Sequence, residues 1–147
     1  MNVLVDTSVW SIALRRRKQK LSSSLGDYFI IEELKELIKE MRVVIIGLVR
    51  QEILSGISDR SHFIKLRNYL RPFQDLPIDS NAYERAAEFY NLCRRKGIQG
   101  SHIDFLICSI AETHNLSIFT TDNDFINYAK LLHISIYKPR NNQSVNK

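Results

Sequence analysis

Five acidic residues stand at positions from which a small α/β chain can use them together. Asp6 ends the apolar run Val3-Leu4-Val5, and Asp122 closes a second run at residues 116–119 after Thr120 and Thr121, with Asp124 two residues further on. Asp104 lies in a segment, residues 101–111, that is apolar nearly all round a helix, and Glu52 follows the run Val43-Val44-Ile45-Ile46 by half a dozen residues. Reactive groups of an open parallel sheet collect at the carboxyl ends of its strands, and strand ends of this kind would gather these acids in one place. Each also has a purely structural use. Asp6 suits a turn, Asp122 a helix cap, Asp104 the capping box begun by Ser101, and Glu52 an exposed helix position. The combination argues for more than that. Two carboxylates about 5 Å apart repel by roughly 3 kcal/mol at an effective dielectric of 20. Such a group needs protons or a cation, and hard oxygen ligands favour Mg²⁺, with Mn²⁺ next.

Chemistry of other kinds finds less support. Zinc is disfavoured because no Cys/His ligand spacing is present. A phosphatase of the haloacid dehalogenase type needs a second Asp two residues after the strand-end acid, where this chain has Ser8. No Gly-x-x-x-x-Gly-Lys-Ser/Thr run is present for a phosphate loop. Carboxylate-bound Mg²⁺ keeps several waters and completes its shell with phosphate oxygens, so the acids point to phosphodiester hydrolysis.

The elements that must position these acids alternate in type. Short apolar strands are expected at residues 3–5, 43–46, 116–119 and 134–137, with a weak fifth at 73–78. Helical periodicity covers residues 9–14 (capped by Thr7 or Ser8), 28–41, a stretch around 49–54, 63–70, 80–93, 101–111 and 123–132. That alternation predicts a single α/β domain over residues 1–138, a central parallel sheet of about five short strands flanked by helices. A polar tail at 139–147 is expected to be mobile.

Composition agrees. The 147 residues are 44% apolar and 25% charged, ordinary for a globular domain. Cys93 and Cys108 fall within helical patterns and are expected to be buried thiols of a cytoplasmic protein. No apolar run is long enough for a membrane helix. The formal charge is +5, and setting aside Asp6, Glu52, Asp104 and Asp122 leaves 21 basic against 12 acidic residues. An acidic pit in a basic surround suits a polyanionic substrate. Arg15, Arg16, Arg17 and Lys18, with Arg94, Arg95 and Lys96, are the candidate cations for its phosphates. Tyr28, Tyr69, Tyr83, Tyr90 and Trp10 sit at helical spacings that suit a core or an interface.

Four segments carry a family resemblance: Leu4-Val5-Asp6-Thr7-Ser8-Val9-Trp10, Gln51-Glu52-Ile53-Leu54-Ser55-Gly56, Asp104-Phe105-Leu106-Ile107 with Ala111, and Thr120-Thr121-Asp122-Asn123-Asp124-Phe125. In this order they resemble the motifs of PIN-domain ribonucleases, most nearly the VapC-type toxins of bacterial toxin–antitoxin pairs. The resemblance implies an endoribonuclease with one or two Mg²⁺ or Mn²⁺ ions and a catalytic set of Asp6, Glu52, Asp104 and Asp122. It implies Asp6 and Asp104 as direct metal ligands, Glu52 and Asp122 acting directly or through water, and Asp124 as a further ligand or an orienting group. Thr7 or Ser8 would hydrogen-bond a carboxylate, and Ser101 would do so near Asp104. It also implies a cognate antitoxin as partner and a homodimer. A non-catalytic nucleic-acid or protein-binding module and a DNA-directed nuclease are the alternatives.

Overall fold

The computed structural model describes residues 1–14 and 24–140. Val3, Leu4 and Val5 form the central strand β1 (Val3–Val5), fully buried because parallel neighbours flank it on both edges. After it come helices α1 (Thr7–Ala13) and α2 (Leu25–Lys39), then β2 (Val43–Val44). Helices α3 (Gly47–Leu54), α4 (Arg60–Leu70), α5 (Ser80–Arg95) and α6 (His102–His114) lead to β3 (Ser117–Phe119), and α7 (Asp124–Ala129) precedes β4 (Ser135–Ile136). The sheet is parallel throughout, in the order β2-β1-β3-β4. Among the described residues no helix is long and apolar enough to cross a membrane.

Three expectations change. The fifth strand shrinks to one bridge, Ile45 to Asp75, with Leu76 N–H donating to the Ile45 carbonyl at 2.9 Å. Pro77 has no N–H to extend the ladder. Arg50 takes acceptors of the segment instead, donating to Asp75 Oδ1 at 3.0 Å and to the Phe73 carbonyl, and it also reaches the Leu70 carbonyl at the end of α4 at 2.9 Å. Helix α1 is capped by Asp6 rather than by Thr7 or Ser8: the strand's last extended residue is already the cap, so the helix begins at once. Helix α2 ends before Met41, which is 89% exposed at φ 56°. There Met41 N–H bonds the Ile38 carbonyl and Arg42 N–H the Leu37 carbonyl, a Schellman closure.

Helix α6 is buried from Phe105 to Ala111 and packs against α5, where Ser109 Oγ donates to the Ala82 carbonyl at 2.7 Å. Cys93 and Cys108 are buried free thiols. Trp10 and Phe73 meet edge to face at 5.5 Å between ring centres, whereas Tyr28, Tyr69 and Tyr83 stay about half exposed. Of the expected tail, Arg140 is fastened to α2 by bonds to Glu33 and Glu40, and residues 141–147 lie outside the described residues.

Candidate metal centre

The register Val5 to Phe119 brings the ends of β1 and β3 out side by side, and Asp6 N–H extends the ladder to the Phe119 carbonyl at 2.9 Å. Asp6 is buried, and its Oδ2 accepts from Ser8 Oγ at 2.8 Å, Thr120 Oγ1 at 2.9 Å and the Ser8 N–H at 3.4 Å. Each hydroxyl in turn accepts a backbone donor from the β3 side: Thr121 N–H reaches Ser8 Oγ and Asp122 N–H reaches Thr120 Oγ1, both at 3.0 Å. The two strand ends are thereby laced into one unit.

From there the chain turns into α7. Asp122 Oδ1 accepts from Asp124 N–H at 2.9 Å, and the Asp122 carbonyl accepts from Phe125 N–H. One turn on, the buried Tyr128 hydroxyl donates to Asp104 Oδ2 at 2.8 Å. Asp104 is in the first turn of α6, whose cap Ser101 accepts from its N–H at 3.1 Å. Asp104, Asp122 and Asp124 therefore each present a carboxylate oxygen within 4.8 Å of the others.

The electrostatics follow from this crowding. Burial raises the pKa of Asp104, the bonds from Tyr128 and Ser101 oppose the rise, and the charges of Asp6 and Asp122 add to it. Burial, then the bond to Asp104, pushes the Tyr128 phenol far above its ordinary value, so it remains a donor. Among the described residues, none of Asp6, Glu52, Asp104, Asp122 or Asp124 pairs with a Lys, Arg or His, while seven other acids do. Close, unpaired, all-oxygen donors fit a hard divalent cation such as Mg²⁺ or Mn²⁺.

Not every expected residue joins the group. Glu52, exposed on α3, and Asp6, buried at the end of β1, both lie outside the three-acid set. Thr7 does not hold a carboxylate, since its buried Oγ1 has no hydrogen-bond partner. With Asp6 as cap it is Ser8, at the second helical position, that meets the cap's side chain. Arg94, Arg95 and Lys96 are exposed at the end of α5, and Arg94 Nη1 donates to Tyr90 Oη at 2.7 Å. Arg15, Arg16, Arg17 and Lys18 lie outside the described residues.

Three contributors escaped the sequence reading. Thr120 carries only the signal of its place at a strand end. Tyr128 is four residues after Asp124 and so shares a helical face with it. Gly100 carries no signal, yet a Cβ there would collide with the Tyr128 hydroxyl and the Phe105 ring.

Solved structures with this fold include FitAcB from Neisseria gonorrhoeae (TM-score 0.72, 21% identity, 93% of this chain and 97% of that one). VapBC2 from Rickettsia felis, bound to a DNA fragment from its promoter, matches at TM-score 0.71 and 18% identity over 93% of this chain and 98% of that one. VapBC-5 from Mycobacterium tuberculosis, a member of the VapBC family of toxin–antitoxin systems, matches at 0.64 and 17% over 94% and 99%. No curated protein matches the chain in sequence. The family model of the PIN domain matches residues 3–131. PIN domains are generally nucleases that use divalent metal ions. An acidic pit at the ends of parallel strands, unpaired among the described residues, suits that chemistry, and with a match over most of its length the chain belongs to the PIN domain family.

Proposed function

We propose that the protein is a VapC-type toxin, an endoribonuclease that hydrolyses RNA phosphodiester bonds with Mg²⁺ or Mn²⁺. The carrying observation is the convergence of Asp104, Asp122 and Asp124 to within 4.8 Å, with no basic partner among the described residues. Asp6, Asp104, Asp122 and Asp124 would hold the metal, and Glu52 acts on it through water from α3. When bound, the metal supplies an activated water and stabilises charge on the phosphate oxygens. The protein's own groups prepare this. Ser8 and Thr120 occupy Asp6 Oδ2, and Tyr128 occupies Asp104 Oδ2, which leaves the other oxygen of each carboxylate for the ion. Ser101 fixes the helix end that bears Asp104.

The RNA backbone lies on the basic surround, on Arg95 and Lys96 and on Arg15, Arg16, Arg17 and Lys18. The structural neighbour VapBC-5, a member of the VapBC family of toxin–antitoxin systems, supports a cognate antitoxin as partner. The protein acts as a homodimer in the cytoplasm. The test is purified protein against RNA and DNA oligonucleotide panels with Mg²⁺, Mn²⁺ or EDTA, with Asp6→Asn as control. RNA is expected to be cut only with metal, and more than about a hundredfold slower by Asp6→Asn. Equal rates for Asp6→Asn in excess Mg²⁺ would sink the mechanism, and cutting of DNA alone would move the substrate.

A further inference from the structure

Next to the acids, a cavity of about 280 Å³ opens between the end of α5 and the start of α6, lined by Tyr90, Arg94, Ile98, Gln99, Gly100 and Phe105. Its floor bears on the acids through Tyr128. Gly100 packs directly on the Tyr128 ring, Phe105 lies 5.0 Å from the same ring centre to centre, and the Tyr128 hydroxyl holds Asp104.

The wall is organised before any ligand arrives. Arg94 is bonded to Tyr90 Oη and lies over the Tyr90 ring at 5.8 Å. That ring stacks on His102 at 5.1 Å and meets Phe105 edge-on at 5.8 Å. With one guanidinium nitrogen engaged, Arg94 keeps further N–H donors, and Gln99 offers an amide donor and an acceptor.

A phosphate site calls for converging cations and backbone donors. This cavity has one cation, already tied to a phenol, beside a neutral amide and an apolar floor. Its size is at the small end of ligand pockets. Donors and acceptors around an apolar floor suit a flat heterocycle with hydrogen-bonding edges, and RNA-binding proteins read splayed-out bases in this manner.

We propose that the cavity receives one nucleobase of the substrate strand, within two nucleotides of the cut phosphate, and that Gln99 and Arg94 read its edge. The inference rests on the ribonuclease reading and adds to it a determinant of sequence choice. An antitoxin side chain is the competing occupant, and the test separates the two.

The experiment is digestion of a randomised single-stranded RNA pool with sequencing of the cut ends, for the intact protein and for Gln99→Ala and Arg94→Lys. The Lys variant keeps the charge and loses the planar fork. For the intact protein, one position within two nucleotides of the cut is expected to favour one base by about tenfold. In both variants that preference falls below about twofold while preferences elsewhere along the strand persist. An unchanged profile in both, as an antitoxin pocket would give, overturns the proposal. So does slower cutting with an unaltered base profile, the mark of a phosphate contact. If the intact protein cuts no RNA at all, the ribonuclease reading fails separately. Fluorescence anisotropy of short labelled RNAs on Asp6→Asn in Ca²⁺ then decides the cavity: base-dependent binding lost in Asp6→Asn/Gln99→Ala supports it, and base-independent binding overturns it.

Discussion

Glu33 on α2 is 1% exposed, and its carboxylate accepts from Arg140 Nε at 2.8 Å and from the Tyr137 hydroxyl. The same guanidinium binds Glu40 through two bonds of 2.7 and 3.0 Å. Asp104 also accepts from a tyrosine hydroxyl, that of Tyr128 at 2.8 Å. Around it, however, stand Asp6, Asp122 and Asp124 and, among the described residues, no arginine. One phenol–carboxylate pair is completed by a cation of the chain, and the other is surrounded by more acid. A structural acid inside a fold has its charge met by the protein. Among the described residues no cation of the chain meets the strand-end acids, and that contrast supports the proposal that they hold a metal.

The largest stability effect should therefore come from the completed pair. Glu33→Gln keeps the shape and removes the charge that Arg140 and Tyr137 meet. Because Arg140 is about half exposed and keeps Glu40, the loss is smaller than for a fully buried pair, about 2 kcal/mol, or roughly 4–8 °C in melting temperature. RNA cleavage is expected to persist. An unchanged melting temperature would break the comparison from this side.

Next is Tyr128→Phe, which deletes only the hydroxyl on Asp104 and leaves the ring packed on Phe105, Phe125 and Gly100. Groups that orient metal ligands are worth about 10–100-fold in metal affinity. Mn²⁺ binding by calorimetry is expected to weaken about tenfold in this variant. Equal affinity would show that the phenol is packing alone.

A smaller effect of opposite sign is expected for Asp104→Asn in EDTA. Asparagine still accepts from Tyr128 but no longer repels Asp6 and Asp122. The metal-free protein should gain about 1 kcal/mol at neutral pH, allowing for solvent at the partly exposed site. Saturating Mg²⁺ should reverse the order, because ligation stabilises the intact site more. A variant less stable than the intact protein in EDTA would mean that the acids are not in repulsive contact.

What the sequence disclosed follows from how local each signal is. Asp6 and Asp122 were legible because an apolar run ending in an acid is a strand end, and Asp104 because an acid interrupts an otherwise apolar helix. Thr120 and Tyr128 were not, since their hydroxyls reach carboxylates only after β1 pairs with β3 and α7 folds back on α6. No local pattern encodes that pairing. The weak strand at 73–78 narrows to one bridge for a related reason: its apolar residues show in the sequence, but Arg50 reaching Phe73 and Asp75 from α3 does not. Met41 kept the helical period one residue beyond the point where the backbone had already reversed. Glu33 carried no warning either, as its cation comes from the far end of the described chain.

The subtlest test uses the phenol of the completed pair. Burial, then the bond to Glu33 and its charge, pushes Tyr137 up to about 12 from its ordinary value of 10.0. The folded state thus holds this proton more tightly than the unfolded chain does. The resulting stability is fully present below pH 10.0 and is lost as the pH rises through about 12. Tyr137→Phe removes this contribution. The variant is expected to be less stable at pH 9 and to draw level with the intact protein as the pH climbs through that window, measured by urea unfolding at intervals of about one pH unit. A stability difference that stays constant across the window would show that Tyr137 contributes through packing and not through the proton it gives Glu33. The two phenol–carboxylate pairs would then differ in more than their cations.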